Sequence, residues 1–66
     1  MKTGWVLQDR DDEFVTEDFD TSECISEAEV HATRKLAANA MTYLSDVVRK
    51  VEVDENGIAV EIIPGR

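Results

Sequence analysis

Cys24 and His31 are the side chains of this 66-residue chain that come nearest to catalytic chemistry. A thiol and an imidazole act as nucleophile and base only where a third group orients the imidazole. The sequence places no such group, and Ser22 and Ser26 lie in no nucleophile motif. The glycines are isolated and form no phosphate-binding loop. We expect Cys24 to be semi-buried, His31 to lie at a surface or interface, and the chain to have no enzymatic activity.

The acidic run at residues 9–13 superficially matches the start of a calcium-binding loop. An EF-hand requires Gly at its sixth position and Glu at its twelfth, whereas this chain has Phe14 and Asp20 there. Cys24 is the only cysteine, so the chain forms neither an intramolecular disulfide nor a cysteine metal cluster. We therefore expect no dedicated metal site and no cofactor.

The most distinctive feature is an acidic block, residues 9–29. It holds ten of the fifteen carboxylates, and Arg10 is its only basic residue. Charges that serve only solubility are normally interspersed with the opposite sign, so this block favours binding to a cationic surface. Outward carboxylates on a strand, such as Glu52 and Asp54, are about 6.6 Å apart and can imitate a row of phosphates. Phe19, between two aspartates, is a candidate apolar anchor.

The overall charge excludes two classes of partner. The formal net charge is −8 and the sequence pI is about 4.3. Nucleic acid and anionic lipid would both repel such a chain, so we expect direct binding to neither. No apolar run follows the first four residues. We therefore expect neither a signal peptide nor a transmembrane helix, and a cytoplasmic location.

Two β-hairpins are predicted, one near each end of the chain. The first joins residues 5–8 to residues 13–16 through an aspartate-rich turn. The second joins residues 51–54 to residues 58–62 through a turn that contains Asn-Gly. Alternation in the second hairpin predicts five core-facing side chains: Val51, Val53, Ile58, Val60 and Ile62.

A long helix is predicted between the hairpins. Ser26 and Glu29 match a capping box, and neither Gly nor Pro interrupts the helical spacing of apolar residues from there to Lys50. Basic residues at its end complement the helix dipole. Thr33 is an alternative N-cap, in which case residues 30–32 form a short extended segment. The sequence leaves this choice open.

These elements predict a single domain, residues 1–66, of the α+β class. The expected architecture is a two-layer ββ-α-ββ fold, in which an antiparallel sheet of three or four strands packs against the one long helix. A chain this short buries only about 60% of the surface that its unfolded form exposes, which leaves little room for a deep pocket.

Three stretches, WVLQDRDDEFVT, EAEVHATRKLAANAM and VEVDENGIAVEI, resemble small acidic accessory proteins of bacteriophages and mobile elements. Those proteins have an aromatic-led first strand, an acidic middle, an Ala-rich helix and a Val-rich last strand. The resemblance implies a nonenzymatic role of the anti-CRISPR or anti-restriction type, in which acidic residues enter the nucleic-acid channel of a host defence complex. It implies a contact surface to which Phe19 adds its apolar side chain: Asp9, Asp11, Asp12, Glu13, Glu17, Asp18 and Asp20.

We therefore expect a DNA-mimic-like inhibitor that binds the cationic nucleic-acid-binding site of a bacterial defence protein. The alternative is a small homodimeric structural or assembly protein, whose acidic surface only keeps it in solution.

Overall fold

The computed structural model describes residues 2–41 and 47–64. Within them lies a five-stranded antiparallel sheet in the order β3-β2-β1-β4-β5. A 3-10 turn, Ile25–Glu27, follows β3, and a short helix α1, Arg34–Asn39, follows that turn. The strands are β1 (Lys2–Gln8), β2 (Phe14–Val15), β3 (Thr21–Ser22), β4 (Val47–Val53) and β5 (Ala59–Ile62).

The central strand β1 is covered on both faces. It pairs with β4 along all seven of its residues. Successive strand residues point to opposite faces, yet Val6 and Leu7 are both buried. One face packs against α1, and the other packs against the chain around the 3-10 turn. The core is therefore divided by the sheet into two clusters.

The two clusters differ in size. The larger one contains Val6, Phe14, Ala28, Val51, Val53 and Ala59, with Ile25, Val30 and Ile62 packed against it. The smaller one contains Leu7, Val15 and Ala37, with Trp5, Ala40 and Val48 packed against it.

The predicted long helix, and with it the two-layer ββ-α-ββ architecture, is wrong. Among the described residues of the region assigned to that helix, only Arg34–Asn39 is α-helical, and residues 47–50 belong to β4. Residues 42–46 lie outside the described residues. The sheet formed by the described residues has five strands rather than three or four. The stretch VVRKVEV forms a strand because its β-branched valines favour extended backbone and bury their side chains by pairing with β1.

Thr33, not Ser26, caps the helix. The Thr33 hydroxyl accepts a hydrogen bond of 3.1 Å from the Leu36 amide, and Ser26 lies in the 3-10 turn. Before the cap, Trp5 and His31 exchange backbone hydrogen bonds of 2.9 and 2.7 Å. The structure thus selects the later of the two starts, because the extended chain completes the hydrogen bonding of β1 beyond the end of β2. No helix in the described ranges is long and apolar enough to cross a membrane.

Both predicted hairpins are present, as β1–β2 and β4–β5. In the second hairpin a register shift next to Val53 places Ala59 opposite it, and Ala59 is buried. Ile58 and Val60 are 42% and 49% exposed. The prediction that these two side chains face the core is wrong, because a one-residue shift in register exchanges the faces of a strand.

Candidate functional site

The acidic block is divided between two hairpin turns at opposite ends of β2. Residues 9–13, the first acidic turn, join β1 to β2, and residues 16–20, the second acidic turn, join β2 to β3. Between them β2 spans about 7 Å. The predicted contact residues are shared equally: Asp9, Asp11, Asp12 and Glu13 lie in the first turn, and Glu17, Asp18, Phe19 and Asp20 in the second.

Both acidic turns have the same backbone geometry as the turn between β4 and β5. In each, the first residue donates its amide to the fifth carbonyl and accepts from the fourth amide, at 2.8–3.2 Å. The fourth residue has a positive φ, which is 64° at Asp12, 61° at Phe19 and 81° at Gly57. This is the three-residue hairpin loop, a type I turn followed by a residue in the left-handed region.

The first acidic turn uses a carboxylate to hold itself together. Asp9 Oδ1 accepts hydrogen bonds of 2.9 Å from the amides of Asp11 and Glu13. Asp54 Oδ1 does the same in the turn between β4 and β5, with both distances 2.9 Å. Asp9 is half-buried, whereas Asp11 and Asp12 are exposed. The Asp9 carboxylate is therefore occupied by hydrogen bonds within its own turn.

The second acidic turn uses a hydroxyl where the other two turns use a carboxylate. Thr16 Oγ1 lies 3.3 Å from the Asp20 amide and 3.4 Å from its carbonyl. Within the described chain, no hydrogen bond or ion pair engages the side chains of Glu17 and Asp18. Phe19 is 70% exposed at the fourth position of the turn. Asp20 Oδ1 accepts a hydrogen bond of 2.8 Å from the Thr21 amide. The side chains that this turn leaves without a role in the fold are therefore Glu17, Asp18 and Phe19.

The second acidic turn forms one side of an open groove of about 790 Å³. The extended chain around Ala28 forms another side, and Gly57 and Ile58 lie at its end. No Lys or Arg is among the described residues that line it. Five carboxylates line it: Glu17, Asp18, Asp20, Glu27 and Glu29.

Glu27 and Glu29 belong to this groove although the sequence assigned them to the start of a helix. The Glu29 amide donates a 3.1 Å hydrogen bond to the Val15 carbonyl, which fixes this chain beside β2. The Ser22 hydroxyl donates to the Glu27 carboxylate. The signal that could have placed them was Thr33, because a cap there leaves the preceding acids outside the helix.

Gly4 makes room for the extended chain. A Cβ at Gly4 would lie 2.5 Å from Val30 Cγ1 and 3.3 Å from the His31 carbonyl oxygen. Real side chains do not approach so closely, so a larger residue at this position would push the chain away from β1. Gly4 therefore helps to position the second wall of the groove.

The expected burial of the two reactive side chains is reversed. Cys24 is exposed, whereas the His31 side chain is only 12% exposed. His31 Nε2 lies 3.7 Å from Glu29 Oε1 and makes no hydrogen bond to any described residue. Among residues 2–41 and 47–64, no group of three or more His, Cys, Asp or Glu side chains is arranged to hold a metal ion.

Three basic side chains lie around β1 and are not among the described residues that line the groove. The Arg34 guanidinium and the Lys50 ammonium lie 5.9 and 5.8 Å from the centre of the Trp5 ring, within reach of a cation–π contact. The Arg49 Nε donates a 2.9 Å hydrogen bond to Gln8. In the described part of the chain, no Lys or Arg side chain lies within 4.0 Å of a carboxylate. The described Lys and Arg side chains are therefore not paired with carboxylates.

Comparison of the chain with protein-family models, with curated proteins and with solved structures finds no match in any of the three.

Proposed function

We propose that this protein is a nonenzymatic acidic binding protein that acts as an inhibitor of the phage type. In this proposal its acidic groove docks on the cationic nucleic-acid-binding site of a bacterial defence protein, in the cytoplasm of the host cell. The observation that carries the proposal is Phe19, an exposed aromatic side chain held at positive φ between Asp18 and Asp20.

Phe19 contributes little to the stability of the fold, for two reasons. A bulky residue at positive φ costs about 1–2 kcal/mol relative to glycine, which occupies the same position in the β4–β5 turn. An aromatic ring that is 70% exposed also gains little from burial. A residue that stabilises neither the turn nor the core is best explained by a contact with another molecule, and aromatic residues are enriched at binding hot spots.

The charges of the groove support a cationic partner. Glu17 and Asp18 keep their full hydrogen-bonding capacity for a ligand, and Glu27 and Glu29 extend the same sign along the opposite wall. Lys and Arg side chains that normally meet phosphates would be attracted to this row. The attraction is screened over about 10 Å at 0.1 M salt, so binding is expected to weaken as salt is added.

The contact surface that follows differs from the one expected from sequence. It is centred on the second acidic turn and the groove, with Glu27 and Glu29 added to Glu17, Asp18 and Asp20. In the first acidic turn, Asp9 serves the backbone, and Asp11 and Asp12 project from the other end of β2.

This difference provides a matched pair of variants. Glu17→Gln with Asp18→Asn removes two exposed charges from the groove. Asp11→Asn with Asp12→Asn removes two exposed charges from the first acidic turn. Both pairs change the net charge equally, so a general charge effect predicts the same outcome for each.

The test is affinity capture from a bacterial lysate, followed by addition of the partner's nucleic acid to the captured complex. We expect the wild type and the first-turn variant to retain a nucleic-acid-binding protein, and the groove variant to lose it. We also expect the nucleic acid to displace the captured protein. Equal capture by all three forms would contradict the proposal. A salt-insensitive dimer in light scattering, with no captured partner, would favour the structural or assembly role instead.

A further inference from the structure

The strand β5 is an open edge of the sheet. The strand order ends at β5, and no strand of the described chain pairs with its outer side. The Ile63 amide donates a 2.9 Å hydrogen bond to the Lys50 carbonyl, so residue 63 faces β4. Backbone groups alternate in direction along a strand, and Ile62 therefore directs its amide and carbonyl away from the sheet. Such an edge is a template for one more strand.

Two like charges lie side by side next to this edge. Glu52 of β4 and Glu61 of β5 are directly opposite each other in the register. Residues so placed have Cβ atoms about 5 Å apart, and like charges there destabilise a sheet. Lys50, two residues before Glu52 on the same face, is directed to the Trp5 ring instead. In the described chain, neither Glu52 nor Glu61 has a cation within 4.0 Å.

The same edge exposes apolar surface. Val60 in β5 is 49% exposed, and Ile58 just before it is 42% exposed. Ile58 also lines the end of the acidic groove, so the edge and the groove form one continuous surface. Natural edge strands are usually protected by an inward-pointing charge, a lysine or a covering loop. Here a bulge lies next to Val53 and the 3-10 turn contacts β5, but in the described chain no backbone hydrogen bond outside the β4–β5 ladder engages the amide or carbonyl of Ile62.

We infer that β5 binds an extended basic segment of the partner as a sixth strand. Backbone hydrogen bonds to Ile62 would hold the segment, and a Lys or Arg beside Glu61 would relieve the repulsion between Glu61 and Glu52. Apolar side chains on the other face of the added strand would lie beside Ile62, which packs against the larger core cluster. The ligand is thus a strand that alternates basic and apolar residues.

Charge distinguishes this occupant from a second copy of the chain. Antiparallel pairing of β5 with β5 of another copy would bring a second Glu52–Glu61 pair beside the first. That arrangement adds like charges at a place where two are already opposed, whereas a basic strand supplies the missing counter-charge.

The inference rests on the proposed function only in that the partner is basic. It is tested with a short synthetic peptide that alternates lysine and valine, and with the same peptide N-methylated at every residue so that neither of its edges can pair. The peptides are titrated into the isotope-labelled protein and followed by amide NMR shifts and by hydrogen exchange. We expect saturable shifts at residues 59–63 and slower exchange of the Ile62 amide with the first peptide, and about tenfold weaker binding of the second.

Two protein variants complete the test. Glu61→Gln should weaken peptide binding about threefold, whereas Glu55→Gln, the same change in the exposed turn, should leave it unchanged. A protein made by chemical synthesis with an N-methylated Ile62 should lose about tenfold in affinity while keeping its core.

Equal binding of both peptides, shifts confined to residues 17–29, or no saturable binding at about 1 mM peptide would each overturn the inference. Its failure is distinguishable from failure of the proposed function. If only strand addition is wrong, the N-methylated protein still captures the lysate partner. If only the groove proposal is wrong, the peptide still adds to β5, while the Glu17→Gln, Asp18→Asn variant captures as much as the wild type.

Discussion

The two acidic turns have the same backbone geometry and nearly the same charge, but they use their carboxylates differently. In the first, the Asp9 carboxylate accepts two backbone hydrogen bonds, and a residue that tolerates positive φ, Asp12, occupies the fourth position. In the second, a threonine replaces the capping aspartate, and the fourth position holds an exposed phenylalanine. The first turn is stabilised by its Asp9 carboxylate, whereas the second is destabilised by Phe19 at positive φ.

The β4–β5 turn shows which of the two is unusual. It combines a capping aspartate, Asp54, with glycine at the position of positive φ. The first acidic turn differs from that arrangement only at its fourth residue, Asp12. The second acidic turn differs at its first residue, Thr16, and at its fourth residue, Phe19. Charge density along the chain therefore does not indicate which acidic residues are free to bind a partner.

Gly4→Ala is expected to have the largest effect on stability. The added methyl group would overlap Val30 and crowd the His31 carbonyl, and overpacking of this kind costs about 1–3 kcal/mol. Urea unfolding measures the loss, with the exposed neighbour change Thr3→Ala as the control. Because the displaced chain carries Glu29, amide shifts of the mutant should move in the groove wall and not in the first acidic turn. Unchanged stability would show that the chain does not rest on Gly4.

Asp9→Ala is expected to lower the free energy of unfolding by about 1–2 kcal/mol, because two turn amides lose their acceptor. Asp54→Ala should cost about the same, since its hydrogen bonds are the same. Asp18→Ala, which removes an equal charge from the second turn, should change stability by less than about 0.5 kcal/mol. Chemical denaturation of the three variants compares them. Equal losses for Asp9 and Asp18 would abolish the contrast between the turns.

Phe19→Gly is expected to raise the free energy of unfolding by about 0.5–1 kcal/mol. The change removes the steric penalty of about 1–2 kcal/mol, and the greater entropy of glycine in the unfolded chain offsets part of that gain. The reverse change, Gly57→Ala, should lower it by about 1 kcal/mol; nothing lies within 4 Å of the added Cβ, so the cost is that of the backbone alone. If the proposed function holds, the more stable Phe19→Gly variant also loses capture of the partner. A destabilised Phe19→Gly variant would mean that the ring packs on the fold.

Asp11→Asn is expected to have the smallest effect. The side chain is exposed and makes no hydrogen bond in the described chain, so its loss should change unfolding by less than about 0.3 kcal/mol. Capture of the partner should weaken only through the change in net charge, and that weakening should vanish at high salt. A loss as large as that of Asp18→Asn at high salt would show that the partner contacts both ends of β2.

Local sequence patterns predict both hairpins and the alternative helix cap, because Asp-rich and Asn-Gly turns and a Thr cap act over a few residues. The long helix is wrongly predicted. Apolar residues at helical spacing also fit a strand buried on one face, and residues 47–50 joined β4 once β1 was available as a neighbour. The facing of Ile58 and Val60 is also wrongly predicted, because a bulge has no reliable local signal and a one-residue shift in register exchanges the two faces of the strand.

Part of the candidate site could be predicted from local sequence. Glu17, Asp18, Phe19 and Asp20 are adjacent in the chain, so composition alone selected them. Glu27 and Glu29 were missed because they reach the groove only through hydrogen bonding of residues 28–31 to β1 and β2.

By itself the sequence determined the local features: fifteen acidic against seven basic residues, the positions of the hairpin turns, and two candidate helix caps, Ser26 and Thr33. These depend on side chains that interact with backbone a few residues away. Only the tertiary structure decided which carboxylates accept hydrogen bonds within the turns and which line the groove. It also decided where the sheet ends. Those outcomes depend on pairings between distant segments, above all the β1–β4 ladder and the approach of residues 28–31 to Gly4. No local sequence pattern specifies the register of such pairings.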